Sequence, residues 1–264
     1  MASITYHENS INNTITTDND NSMYDSKIED DLADLYIAKT KPIVKTVHYE
    51  HSIFKKVELP MVCWQIINSK EFQMLKSRHV LGALCIHKKY KKYCSRTRYD
   101  HSIGVAFICK KIMTTIIKFR PDLVVYFDKV VVAALCHDIG HGVFSHEFDE
   151  IYEKLYPENN YSCHEKRSCA IVAILLSSLC IDPITINFIQ YLITDTTELC
   201  KENQAIPSDD LTLMKRCISS RESMDCDRLE YLTSDLLSAE AIDQQELRTD
   251  INRAIHSSKM LYIV

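Results

Sequence analysis

A chain of 264 residues, 46% hydrophobic and 25% charged, has ordinary globular composition and enough length to bury a sizeable core. Its formal net charge of −5 gives no whole-molecule attraction to nucleic acid or an anionic membrane, and no apolar run reaches the roughly 20 residues that span a bilayer. The opening residues, MASITYHENSINNT, lack the basic start and apolar stretch of a secretory signal, so the expectation is a soluble intracellular protein of the cytoplasm or nucleus.

Residues 1–38 are rich in Asn, Ser, Thr and Asp and poor in periodic apolar residues, which predicts a flexible acidic tail. One mainly helical domain is expected over 39–264. Residues 44–60 (VKTVHYEHSIFKKVELP) predict a short extended or hairpin-like segment ended by Pro60. MVCWQIINSKEFQMLK then sets Val62, Ile66, Phe72 and Leu75 at helical spacing, and SIGVAFICKKIMTTIIKF predicts a longer helix that stops before Pro121. KVVVAALCHD is apolar nearly all round and predicts a central buried helix, although its β-branched residues also suit a buried strand. HEKRSCAIVAILLSSLC, PITINFIQYLI and DLTLMKRCI continue the helical run, and the stretch from Asp227 reads as one or two further helices.

The 11 cysteines are scattered, odd in number and without a CxxC pair, so reduced thiols acting as small core hydrophobes are expected rather than a disulfide scaffold. Glycine occurs only at 82, 104, 140 and 142, which leaves no GxGxxG or GxxxxGK[ST] phosphate cradle. Two of these glycines flank His141 and mark a segment whose backbone needs unusual freedom.

That segment, HDIGHGVFSHEFDE at 137–150, gathers three histidines with Asp138, Glu147 and Asp149 at the end of a very apolar helix. Histidine and carboxylate together suit a borderline divalent metal. A second histidine, His101, opens another apolar helix in RYDHSIG, and DCDRLEYL puts Asp227 at the start of a later one. Residues distant in sequence, each at an end of an apolar segment, are what a site assembled between helices of a bundle requires.

RYDHSIG, CHDIGHGVFSHEFD, HEKRS and MDCDRLEYLTSD resemble the successive motifs of the HD-domain phosphohydrolases. They look closest to the deoxynucleoside triphosphate triphosphohydrolase branch, that of the human SAM-and-HD-domain enzyme and the bacterial dGTPases. The resemblance implies an all-α HD-domain helical bundle with a metal site between helices. It implies His101, His137, Asp138 and Asp227 as ligands of a divalent metal (Mn, Fe, Zn or Mg). Two imidazoles and two carboxylates leave open positions on an ion, as a catalytic site needs. His141 and His146 match residues lining the phosphate path, and His164 with Asp149 matches a proton-transfer pair. Arg98 and Arg228 match phosphate-binding positions; Tyr231 and Asp235 match residues near the sugar.

The implied activity is metal-dependent hydrolysis of a nucleotide, with dNTPs split to deoxynucleoside and triphosphate as the leading reaction. Other phosphoesters (nucleoside monophosphates, cyclic nucleotides) and a non-catalytic nucleic-acid- or partner-binding role are the alternatives. Three positions depart from the branch: Val80 replaces a common Gln, and Asn68 and Lys76 stand where nucleotide-activated members carry Asp and Arg. HKKYKKYCSRTRY at 87–99 holds six Lys or Arg and three tyrosines, and reads as a solvated basic loop before a nucleic-acid contact. The expected partner is a nucleotide or another phosphorylated small molecule; a homo-oligomer is left open, and no membrane is expected.

Overall fold

The computed structural model describes residues 46–82, 85, 88, 96–194, 206–218 and 224–238. The expected tail at 1–38, and most of the basic loop, lie outside them. Among the described residues the chain is all-α but for one hairpin. β1 (Thr46–His51) pairs antiparallel with β2 (Lys55–Pro60), with Val47 opposite Leu59 and Tyr49 opposite Val57. Val57 and Leu59 are buried, so the hairpin roofs one end of the core.

The predicted helix after Pro60 is broken in two. α1 (Met61–Ile67) ends at Asn68, and Ser69 caps α2 (Lys70–Gln73) by accepting the Phe72 amide; a 3-10 turn at Met74–Ser77 follows. A serine that satisfies an orphan helix amide restarts a helix more cheaply than it continues one. Ile66, Phe72 and Leu75 are fully buried, as their spacing predicts, and Val62 is partly buried.

α3 (Arg98–Phe119) starts earlier than its apolar face suggests, because Thr97 accepts the Asp100 amide as a cap. Before Pro121 the backbone of Arg120 leaves the helical region (φ −131°, ψ 72°), and a 3-10 turn (Pro121–Tyr126) leads into α4 (Phe127–Cys136). Every residue of α4 from Val130 to Cys136 is buried. Packing against α3 and, on its other sides, α7 (Pro183–Ile193) and α8 (Ser208–Ile218) decides for helix over strand despite three consecutive valines.

α5 (His146–Leu155) and α6 (His164–Ser178) follow the turn after α4, and α9 (Cys226–Ser238) lies against α3. One continuous apolar cluster, from Val57 to Cys226, joins the hairpin to these helices. No described helix is long and apolar enough to cross a membrane. Eight described cysteines are free, six of them buried. Cys85, only partly buried, is disulfide-bonded, which departs from the expectation of reduced thiols throughout.

Candidate metal centre

Three helix ends meet at one point. His101 comes from the first turn of α3, His137 caps the C-terminus of α4, and Asp227 lies in the first turn of α9. One donor atom from each falls within a set spanning no more than 4.8 Å. His101 Nε2 is 3.0 Å from Asp227 Oδ1, and His137 Nε2 is 3.8 Å from the same oxygen. Asp138 adjoins this trio, 3.4 Å from Nε2 of each imidazole.

Neither Nε2 aligns into a hydrogen bond, though both are buried. Buried polar atoms left unpaired are rare and need an explanation. Two imidazole nitrogens and carboxylate oxygens converging without bonding one another fit a cation between them. The charge pattern agrees. Burial depresses the His101 imidazole, but Glu230, Asp138 and Asp227 outweigh it and hold it well above its usual range. His137 is likewise raised against its burial, by Asp138 and Asp227. Burial pushes the Asp227 carboxyl up, yet His101 and His137 pull it far below the ordinary range. The cluster demands positive charge.

Both of these imidazoles are oriented through their other nitrogen. His137 Nδ1–H donates to the Ala134 carbonyl at 2.8 Å, and His101 Nδ1–H donates at short range to Glu230. Asp138 is held by Arg98 in a close ion pair, both side chains being buried. Arg98 also donates from Nε (3.2 Å) and Nη2 (2.9 Å) to Ser145 Oγ. Its guanidinium therefore faces Asp138 rather than open solvent. Ser145 adopts φ 56°, ψ −126°, a strained backbone for a residue with a Cβ, at the start of α5.

A second histidine cluster adjoins the first. His141, His146 and His164 bring donor atoms within 4.8 Å of one another. The His141 and His164 rings stack at 3.8 Å, and His146 stands edge-on to both. His141 Nε2 lies 3.1 Å from Asp138 Oδ1, and burial pushes this imidazole down to about 4, so it is neutral at pH 7. His164 Nδ1–H donates to Asp149 at 2.7 Å, which leaves its Nε2 4.0 Å from Asp138.

Burial raises the Asp149 carboxyl, but His164 and Arg167 reverse this and hold it down at about 2. Its folded value lies below the unfolded 3.8, so the stabilisation is complete above about pH 4 and lost as the pH falls toward 2. Asp149→Asn is therefore expected to flatten the acid limb of a circular-dichroism titration between about pH 4 and 2. An unchanged limb would show that Asp149 carries no such linkage.

The turn carrying Asp138 is clamped from α6 and from Arg78. Ser168 Oγ accepts the Gly140 amide at 2.9 Å and donates to the His137 carbonyl at 2.7 Å. Arg167 Nε donates to the Gly140 carbonyl at 2.8 Å, and Arg78 Nη1 to the Ile139 carbonyl at 3.2 Å. The glycines here serve space rather than dihedral freedom: only Gly82, among the four, has a positive φ. A Cβ at Gly140 would sit 2.3 Å from the Ser168 amide nitrogen, and one at Gly142 would enter the Phe148 ring.

Of the residues singled out in the sequence, the metal, histidine-path and proton-transfer sets are brought together. Arg228, Tyr231 and Asp235 share one stripe of α9 beside the one that carries Asp227 and Glu230. Arg228 and Asp235 are partly or largely exposed there, with Arg96 3.9 Å from Asp235. Glu230, Ser145, Arg167 and Ser168 were missed. The spacing of Glu230, three after Asp227, placed it on the same helix face and could have found it.

The HD domain family pattern matches residues 98–232, half of the chain, and the chain belongs to that family. Among curated proteins, it is 28% identical over 197 residues to the deoxynucleoside triphosphate triphosphohydrolase SAMHD1 of Xenopus laevis, covering 73% of this chain and 28% of that protein. It is 30% identical over 204 residues to a putative HD domain-containing protein, L394, of Acanthamoeba polyphaga mimivirus, covering 70% and 41%. A SAMHD1 homolog of Dictyostelium discoideum is 26% identical over 221 residues, covering 81% and 40%. The chain thus spans well under half the length of these relatives.

Proposed function

We propose that this chain is a metal-dependent phosphohydrolase acting on nucleotides, with dNTPs as the leading substrates. The observation that carries the reading is the pair of buried, unbonded Nε2 atoms of His101 and His137 facing Asp138 and Asp227. Those four residues would hold a divalent ion, which supplies Lewis-acid polarisation of a phosphate oxygen and an activated water. Mn, Fe, Zn and Mg all suit the donor set to different degrees. The similarity to proteins named as deoxynucleoside triphosphate triphosphohydrolases supports dNTPs as substrates. Eight of the described cysteines are free, against one, Cys85, in a disulfide, and that balance supports an intracellular setting, in cytoplasm or nucleus.

The chain's own residues supply the rest. In dNTP hydrolysis, water attacks the α-phosphorus and the bond to the 5′ oxygen breaks, releasing deoxynucleoside and triphosphate. The leaving oxygen needs a proton. His164, backed by Asp149 on Nδ1, presents Nε2 toward Asp138 and is the donor. Asp149 fixes its tautomer and supports the imidazolium. His141, held neutral by burial, positions phosphate or water instead, with His146 beside it at the exposed edge. Arg228, Tyr231 and Asp235 bind the phosphate and sugar from the exposed stripe of α9, and Arg98 offsets charge from behind Asp138.

The test is release of triphosphate and phosphate from a panel of dNTPs, NTPs, monophosphates and cyclic nucleotides by Mn-loaded protein. Triphosphate from dNTPs is expected, and His164→Gln is expected to slow it by about 100- to 10,000-fold with metal retained. Release from monophosphates or cyclic nucleotides alone would keep a phosphohydrolase and discard the dNTP assignment. No metal-dependent release from any of them would sink the enzyme reading in favour of a binding protein.

A further inference from the structure

Gly104, which closes RYDHSIG, and Glu230, in DRLEYL, are motif residues outside the metal set and the proton-transfer pair. The fold brings them together. Glu230 is fully buried, and its Oε2 accepts the Nδ1–H of His101 at short range while accepting from Arg96 Nη2 at 2.9 Å. Its Oε1 accepts from Ser234 Oγ at 2.9 Å, one turn along the same helix. Gly104 lies one turn beyond His101 on α3. A Cβ there would sit 2.9 Å from Glu230 Cγ, 3.0 Å from Oε1 and 3.0 Å from His51 Nε2.

We propose that Glu230 is a positioning residue that fixes His101 with Nε2 toward Asp227 and Asp138, and that Gly104 is the space that lets it do so.

A neutral imidazole carries one proton, and a carboxylate against Nδ1 keeps it there and leaves the Nε2 lone pair facing the cluster. The full charge of Glu230 also raises the basicity of His101 as a ligand. His137 receives only a neutral carbonyl from Ala134, so the two imidazoles are not equivalent. The approach is tight. Any side chain at 104 meets Glu230 near its mid-chain carbon, which cannot retreat while its oxygens stay bonded on both sides. His51 closes the other flank: its Nε2–H donates to the Asp100 carbonyl at 2.9 Å, and its Nδ1 accepts the amides of Ile53 and Phe54, each at 3.1 Å.

This inference rests on the metal reading above, and one experiment separates the two. Mn affinity is measured by competition with a fluorescent chelator on the full chain, beside thermal unfolding in EDTA. Four proteins are compared with wild type: Glu230→Gln, Gly104→Ala, the double variant, and Arg96→Met. Glu230→Gln, which keeps shape and removes charge, is expected to weaken Mn binding about 10- to 100-fold. Gly104→Ala is expected to weaken it too, and the double variant to be no worse than the weaker single, because both act through one bond. Arg96→Met removes the ion pair with Glu230 and the 3.3 Å approach of Arg96 Nη2 to His101 Nδ1, but leaves the bond between Glu230 and His101, so its affinity should stay close to wild type.

Wild-type affinity in Glu230→Gln would overturn the proposal, even with a lowered unfolding midpoint. So would an equal loss in Arg96→Met, which would make Glu230 a partner of Arg96 alone. Should Gly104→Ala fail to fold, Glu230→Gln against Arg96→Met still decides. Wild type that takes up no Mn, Fe or Zn would overturn the metal reading itself and this proposal with it.

Discussion

Asp138→Ala is expected to abolish metal-dependent phosphate release and, in chelator, to lower stability by about 3–5 kcal/mol. The second effect is independent of any ion. Asp138 is only 3% exposed and is the carboxylate partner of Arg98, itself 6% exposed. Without it that guanidinium keeps only Ser145 Oγ, and a buried charge stranded in this way is among the most destabilising lesions known. At roughly 2–4 °C per kcal/mol for a domain of this size, the unfolding midpoint should fall on the order of 10 °C. Asp138→Asn separates the two roles. It keeps the shape and a hydrogen-bond acceptor for Arg98, so the midpoint should fall less while turnover is still lost. Turnover in either variant near the wild-type rate would remove Asp138 from the ligand set.

Gly140→Ala is expected to be nearly as damaging, through space alone. The added methyl would lie 2.3 Å from the Ser168 nitrogen, 2.5 Å from the His164 carbonyl oxygen and 2.8 Å from the Arg167 carbonyl carbon. All three are backbone atoms of the first turns of α6, so no side chain can swing aside. Relief requires that α6 move away from the turn after Asp138. Overpacking of this kind costs about 1–3 kcal/mol. It also displaces His164 from Asp138 and breaks the bonds from Ser168 and Arg167 that hold the turn. The expected outcome is a lower midpoint together with a kcat loss resembling that of His164→Gln. A variant with normal kcat would show that the proton-transfer pair tolerates movement of α6.

Gly140 and Gly142 mark where the sequence was read well and where it was not. Their flanking of His141 announced a constrained backbone, but the constraint is crowding by α6 and Phe148, a fact of tertiary approach that no local pattern carries. The candidate ligands were legible because each stands at the edge of an apolar run, and runs of that kind end where helices end. Glu230 was not. A glutamate in DRLEYL looks like one more solvated helix position, and only its pairing with His101, 129 positions away, gives it a role. α5 was not read as a helix either. Phe148, Ile151 and Leu155 have helical spacing, yet Ile151 and Leu155 remain 54% and 65% exposed, so the signal that ordinarily marks a core points outward. The break between α1 and α2 turned on a single capping hydroxyl, Ser69, within a continuous apolar period.

The buried thiols turn the molecule into its own clock. Cys136 immediately precedes His137, Cys226 immediately precedes Asp227, and Cys109 lies two turns after His101 on the same helix. All three are fully enclosed, and burial pushes the Cys136 thiol up to about 12 and the Cys226 thiol higher than its ordinary range. Such sulfurs react with an alkylating reagent only while the chain around them is open. The order in which they are labelled in the native protein therefore times the departure of α3, α4 and α9 one from another. Cys180, exposed at the end of α6, reacts without any opening and sets the zero of that clock.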